Sequence, residues 1–342
     1  MRVNDNNGII FITGGTGFIG SHIVEELIMK GYRLRCLVRK KESAAKILYL
    51  LRNIPNSEKY IEFVYGDITQ KLPKHYFRDV TIVLHLAAAI ETGYYQNYDV
   101  LYKTNVLGTR NVVEAILAGG ETIENFIHFS SMAAIGIRDL DTLVTEDIEC
   151  KPDTPYGKTK YESELLLRRY WEENKLPVTI LRLPTVYGPR EQYNFRKLVK
   201  AIKNKRFAFI GDGENLTSVL YVKNLSHEID KFFVKGRGEI YHLADPEPIS
   251  WKRLVEYISE ALGIQPPALH IPVSLAKVAA LAFEVIAKLT HIEPPLHRGR
   301  VKTLTSNFAF SIEKAVKEIG YSPPYPTQIA IKETILSISN EI

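Results

Sequence analysis

Gly8-Ile9-Ile10-Phe11-Ile12-Thr13-Gly14-Gly15-Thr16-Gly17-Phe18-Ile19-Gly20 is the stretch from which the rest of the chain is read. Residues 9–12 are a short apolar run, mostly β-branched, the pattern of a strand buried on both faces. Glycines follow at once, and Ser21-His22-Ile23-Val24-Glu25-Glu26-Leu27-Ile28 then has helical periodicity. Strand, glycine turn and helix is the context in which a G-x-G-x-x-G fingerprint holds a dinucleotide. Gly15, Gly17 and Gly20 satisfy that spacing, and Gly14 adds an overlapping G-x-x-G-x-x-G. A side chain at Gly14 or Gly15 is expected to block the tight turn, and one at Gly17 to hold a pyrophosphate off the backbone. One at Gly20 would keep the helix away from the strand. The free N–H groups of the helix start suit phosphate, with Thr16, Phe18 and Ile19 completing the contact. The alternative is a glycine-rich turn that holds no ligand.

Outward from this turn, strands and helices alternate. Residues 32–38, 60–65, 80–86, 125–129 and 178–183 read as five further buried strands. Helices are expected near 43–52 and 98–118, and from Pro155 to about residue 173. This predicts an α/β fold, a Rossmann-type doubly wound parallel sheet with right-handed crossovers. After Pro184 the pattern loosens into a helix near 193–203 and a short strand at 207–210. A strand and helix at 218–235 and a strand at 239–243 are expected to rejoin the sheet. Helices near 250–262, 272–290, 311–319 and 326–338 build a smaller, mostly helical C-terminal part. The expected division is 1–183 with 215–245 for the nucleotide, and 184–214 with 246–342 for the substrate.

The 342 residues carry a net charge of +5 without a long basic run, which argues against a nucleic-acid footprint. Cys36 and Cys150 are the two cysteines. They imply a reducing compartment, hence a cytoplasmic location, with no disulfide framework. Neither has metal-ligand spacing, so no metal is expected. The first seven residues, Met1 to Asn7, are polar and hold no apolar signal region. Residues 271–290 are long and apolar, but Lys277, Glu284 and Lys288 fall within an arc of about 40° at about 100° per residue. Three charges argue against a transmembrane span. The expected role is an amphipathic helix packed on the domain or over a cleft, with peripheral membrane contact as the alternative.

The chemistry concentrates at strand ends. An acidic residue after the second strand would bind the 2′-hydroxyl of NAD, whereas arginine suits the 2′-phosphate of NADP. Arg39 and Lys40 stand there, which favours NADP(H), with NAD(H) the alternative. Asp67 and Ile68, after the third strand, are expected at the adenine. Ala87, Ala88 and Ala89, after the fourth, leave room for the ribose, or are simply core. Tyr156 and Lys160 lie four apart on one helix and share a face. A tyrosine is a poor base at its ordinary pKa of about 10, and a neighbouring ammonium would favour the phenolate. Ser131 ends a strand whose C-terminal edge faces the same crevice, and its hydroxyl suits a carbonyl or alcohol oxygen.

These residues make up a set: Thr13 to Gly20, Gly66-Asp67, His85-Leu86-Ala87-Ala88, Asn105-Val106-Leu107-Gly108-Thr109, Phe129-Ser130-Ser131, Tyr156-Gly157-Lys158-Thr159-Lys160 and Val186-Tyr187-Gly188-Pro189-Arg190. The set resembles the extended short-chain dehydrogenases/reductases, the NAD-dependent epimerase/dehydratase superfamily, along nearly the whole chain. The resemblance implies that Ser131, Tyr156 and Lys160 are catalytic, with Tyr156 the acid/base and Lys160 also holding the nicotinamide ribose. It implies that Asn105 supports the sheet or a proton relay, and that Pro184, Thr185 and Val186 lie against the nicotinamide. It also implies a homodimer through the helices at 98–118 and 155–173.

Within that family one branch acts on nucleotide-linked sugars and another on bulky apolar ketones and alcohols. Sugar-nucleotide members usually carry a diphosphate-binding arginine where this chain has Thr217. The form Tyr221-Val222-Lys223-Asn224-Leu225 is similar to the steroid-dehydrogenase and flavonol-reductase branch. The expected function is an oxidoreductase interconverting a secondary alcohol and a ketone or aldehyde on a small or bulky apolar substrate. Thr92, Tyr94, Met132, Tyr187, Arg190, Tyr193 and the helix at 272–290 are expected to line the substrate site. The alternatives are a nucleotide-sugar 4-epimerase with tightly held NAD, and a non-catalytic NADP-binding regulatory protein.

Overall fold

In the computed structural model, which describes residues 8–91 and 93–338, the apolar run after Gly8 forms strand β1 (Ile9–Thr13), buried at every position. The expectations for Met1 to Asn7 and for Thr92 lie outside the described residues. Six more strands join β1: β2 (Leu34–Val38), β3 (Ile61–Tyr65), β4 (Val80–His85), β5 (Asn125–Ser131), β6 (Val178–Leu183) and β7 (Ile240–His242). All pairings are parallel, in the order β7-β6-β5-β4-β1-β2-β3. The chain runs outward from β1 to β3, then returns to β4 and runs the other way. The C-terminal ends of β1 and β4 are therefore a topological switch point, where open α/β sheets bind ligands.

The helices are α1 (Phe18–Met29), α2 (Lys41–Leu51), α3 (Tyr98–Tyr102), α4 (Gly108–Gly119), α5 (Pro155–Asn174), α6 (Asn194–Lys203), α7 (Val222–Glu228), α8 (Trp251–Leu262), α9 (Val273–Thr290), α10 (Arg298–Thr305) and α11 (Thr327–Ile338). Strand periodicity of two explains the layers. Ile10 and Ile12 of β1 enter a core with Ile23 and Leu27 of α1 and Leu225 of α7. Ile9 and Phe11 enter the opposite core with Val112 and Ile116 of α4 and Leu167 of α5. A third core joins Tyr187 and Tyr221 to Phe195 of α6, Val255 and Ile258 of α8 and Ile331 of α11.

Several expectations need correction. The helix expected at 98–118 is broken into α3, a π turn at Lys103–Leu107, and α4. Residues 239–243 do rejoin the sheet as β7, but Val219–Tyr221 does not. It pairs in parallel with Thr185–Tyr187 as a separate ladder. The strand expected at 207–210 contracts to Phe209–Ile210, paired with His270–Ile271. Helix α10 was not expected, because only Val301 of it is buried and its sequence has no apolar period. The largest correction concerns α9. Its inward face is Ala276, Ala280, Glu284 and Ala287. Glu284 is bonded to Arg298 at 2.8 Å, so only part of the predicted polar stripe is exposed, namely Lys277 and Lys288. The large apolar residues point away from the protein. Alanines let the helix sit close to its neighbours, and the Glu284–Arg298 pair fixes its rotation.

Candidate active site

Gly14 turns the chain at the end of β1 with φ +75°, and a Cβ there would lie 2.7 Å from the Ala87 nitrogen. Only glycine adopts that conformation in that space without strain. A Cβ on Gly20 would fall 2.2 Å from the Gly14 carbonyl oxygen, so the first turn of α1 rests on the glycine turn. Gly15 is buried and packs near Val24. Gly17 is different: apart from the Gly14 oxygen at 3.2 Å, nothing would meet its Cβ, and Thr16 and Gly17 are exposed. Helix α1 begins at Phe18 with no side-chain cap and no acidic residue in its first turn. Uncapped N–H groups behind bare glycine fit the diphosphate of a dinucleotide.

Next to this turn, the end of β4 is pinned by side chains. The Ala87 nitrogen donates to Thr13 Oγ1 at 3.2 Å. The Ala89 nitrogen donates to Asn105 Oδ1 at 2.8 Å, and Asn105 Nδ2 donates to the Ala89 oxygen at 3.1 Å and to Thr159 Oγ1 at 3.0 Å. Asn105 sits in the π turn, which aims its side chain between β4 and α5. Arg39 and Lys40 are exposed beyond β2, and neither has an ion-pair partner among the described residues. Asp67 accepts from the Thr69 nitrogen at 2.8 Å in a local turn. Ile68 is buried in the core against α4, where a Cβ on Gly108 would meet it at 2.8 Å. Pro184, Thr185 and Val186 follow β6, with Thr185 exposed and the other two half-buried.

The start of α5 is built to meet the end of β5. Thr154 Oγ1 caps the helix by accepting from the Gly157 nitrogen at 3.0 Å, with Pro155 in the first turn. Gly157 lets the helix approach the turn after Ser131, since a Cβ there would lie 2.3 Å from the Ala133 oxygen. The Tyr156 nitrogen donates to Gln96 Oε1 at 3.0 Å. The Tyr156 phenol is close enough to Ser131 for the serine side chain to act on its acidity. Lys160, one turn on, is buried and donates from Nζ to the Phe129 oxygen at 2.6 Å.

Burial pushes the Tyr156 phenol up to about 12, opposed by the hydrogen bond from Ser131. Burial also lowers Lys160 to about 8, with Glu164 acting against the shift. In the protein alone burial dominates the phenol, and the Lys160 ammonium donates to the Phe129 carbonyl. At neutral pH Tyr156 therefore holds its proton, ready to donate it. Below Lys160, His85 and His128 stack at 5.6 Å. Burial and then the Lys160 charge lower His85 to about 3 and hold His128 well below the ordinary imidazole value.

Three expected substrate residues, Met132, Tyr187 and Arg190, have their side chains engaged within the protein. Met132 lies in a small core with Ile135, Val144 and Phe310. Tyr187 is fully buried and donates to Asp245 Oδ2 at 2.8 Å. Arg190, at φ +72°, turns to α1 and bonds Glu25 at 2.8 Å and His22 at 3.1 Å. Tyr193 is exposed just before α6. Tyr94 lies against His297, with ring centroids 5.4 Å apart, and Tyr95 donates its hydroxyl to the Ala287 oxygen of α9 at 2.8 Å. Sequence reasoning missed the support behind the site. Glu164 accepts from Arg182 Nη2 at 2.7 Å and from Ser130 Oγ, and Ser163 Oγ donates to the Asn105 oxygen at 2.8 Å. The signal available was Glu164, a charge one turn after Lys160 on the same helix face.

The model of the NAD-dependent epimerase/dehydratase family matches residues 10–244. A 3beta-hydroxysteroid-dehydrogenase/decarboxylase of Arabidopsis thaliana is 28% identical, over 99% of this chain and 82% of its own length. An N-acetyl-alpha-D-glucosaminyl-diphospho-ditrans,octacis-undecaprenol 4-epimerase of Escherichia coli is 27% identical, over 97% of this chain and 95% of its own length. Among solved structures, a UDP-glucuronic acid 4-epimerase from Bacillus cereus in complex with NAD superposes with a TM-score of 0.75 at 21% identity, covering 97% of each chain.

Proposed function

Because the chain belongs to the NAD-dependent epimerase/dehydratase family, whose members are enzymes, we propose that it is an NADP(H)-dependent oxidoreductase that interconverts a ketone and a secondary alcohol on a bulky apolar substrate. The observation that supports the reading is that Tyr156 and Lys160 at the start of α5 lie against the end of β5, with Lys160 Nζ on the Phe129 oxygen and Ser131 acting on the Tyr156 phenol. When bound, the nicotinamide supplies or takes up the hydride. Ser131 donates a hydrogen bond to the substrate oxygen, and Tyr156 gives that oxygen its proton as negative charge develops. Lys160 keeps a positive charge behind the phenol below about pH 8, placed to hold a ribose hydroxyl. Arg39 and Lys40, exposed and without an ion-pair partner among the described residues, support NADP(H) over NAD(H).

Thr217 in place of a diphosphate-binding arginine supports the apolar substrate, as do Tyr94 and Tyr95 beside α9. The resemblance to the steroid dehydrogenase points the same way. The undecaprenol-linked epimerase keeps a sugar epimerase as the second reading. We place the homodimer contact on α4 and α5, where Leu117 and Leu165 are exposed. The test is Tyr156→Phe, assayed by NADPH oxidation against a panel of bulky cyclic ketones. Turnover is expected to fall at least about 100-fold while NADPH affinity changes by less than about threefold, since general acid catalysis contributes on that scale. Unchanged turnover in the variant would remove Tyr156 from the chemistry.

A further inference from the structure

Helix α9 is turned inside out relative to an ordinary surface helix. Its contact with the protein is made by alanines and a neutralised Glu284, while Leu275, Val278, Leu281, Val285, Ile286 and Leu289 form one outward face. Val278 is 67% exposed and Leu289 79%. An apolar face of this size, on a helix about 27 Å long, marks an interaction surface. We propose that α9 docks the protein in the plane of an anionic lipid bilayer.

Charge selects this occupant. The exposed charged side chains of α9 are both lysines, Lys277 and Lys288, and Glu284 is buried on Arg298. An apolar face bordered along one edge by lysines matches the interface of an anionic leaflet. A second copy packed antiparallel on this face would bring lysines against lysines, which disfavours that partner. No helix of the described residues is long and apolar enough to cross a membrane, so α9 lies on the surface rather than through it. The helix is also joined to the loop beside the active site through Tyr95 on Ala287, and the segment just after it through the Tyr94 nitrogen on Glu293 at 3.3 Å. Docking thus brings the mouth of the crevice to the lipid. The inference rests on α9 and is independent of the chemistry proposed for Tyr156.

The test is flotation of the whole protein with vesicles of phosphatidylcholine alone, and of phosphatidylcholine with about one-third phosphatidylglycerol. Wild type is expected to float with the anionic vesicles and to bind the neutral ones about tenfold more weakly. Val278→Glu with Leu289→Glu should abolish flotation with an unchanged circular dichroism spectrum, because both positions are on the surface. Lys277→Gln with Lys288→Gln should erase the preference for anionic lipid while leaving weak binding to both vesicles. Wild type that floats with neither vesicle overturns the proposal, as does a glutamate variant that floats like wild type. Wild type that instead self-associates, with the glutamate variant dissociating, assigns the face to a second copy and likewise overturns it.

Discussion

Glu164→Gln is the substitution whose consequences the geometry specifies most fully. Glu164 and Arg182 are 2% and 3% exposed, with Oε2 and Nη2 2.7 Å apart. Arg182 Nε also reaches Oε1 at 3.1 Å, and Arg182 Nη1 is already buried without a partner among the described residues. The amide keeps the shape and one acceptor but removes the negative charge, leaving a guanidinium buried and uncompensated. Breaking such a pair typically costs 3–5 kcal/mol, and the retained acceptor places this one at the low end, about 3 kcal/mol. For a chain of this size that lowers the melting temperature by about 4 °C. A second readout follows from Lys160, which burial holds at about 8 and Glu164 keeps from falling further. Reduction needs the lysine charged, so activity declines as pH rises through that value, and in Glu164→Gln the decline begins at lower pH. The assays are thermal unfolding and the pH profile of NADPH-dependent reduction. Replacing both partners, Glu164→Leu with Arg182→Met, should recover most of the lost stability. A loss under about 1 kcal/mol, the range of an exposed pair, together with an unmoved pH profile, would refute the reasoning.

Two further outcomes are expected. Gly157→Ala, whose Cβ would lie 2.3 Å from the Ala133 oxygen, must push the start of α5 away from Ser131. It should reduce turnover at least about tenfold with only a minor change in NADPH affinity, because a displacement of about an ångström suffices for such losses. His22, His85 and His242 are each lowered to about 3, by burial foremost, so the folded state binds fewer protons than the unfolded state between that value and about 6.5. Their contribution to stability is fully present above about pH 6.5 and is lost on acidification toward 3, which urea unfolding at stepped pH will show as a falling midpoint. A flat midpoint across that window would place the charges elsewhere.

The elements proposed to carry nucleotide and catalysis were legible because their signals are local. The turn from Thr13 to Gly20 encodes its own geometry, and Tyr156 and Lys160 share a helix face whatever surrounds it. What was not legible depends on tertiary placement. Periodicity showed that α9 has two faces but not which one meets the protein, and that was decided by Glu284 finding Arg298. Tyr187 reads as a site residue until Asp245, 58 positions away, buries its hydroxyl. Ile68 sits beside an expected ring-binding aspartate yet packs under α4 because Gly108 leaves it room. The π turn that aims Asn105 has no sequence signature separate from the helix around it.

The nucleotide is the most direct measurement. The purified protein is denatured, any released nucleotide is identified by mass spectrometry, and the native protein is titrated with NADPH and NADH beside Arg39→Asp. A releasing oxidoreductase that reads the 2′-phosphate should purify largely free of nucleotide and bind NADPH at least about tenfold more tightly than NADH, with Arg39→Asp reversing the order. Stoichiometric NAD held through purification, with no preference for NADPH in either protein, would contradict it and turn the assignment to the epimerase.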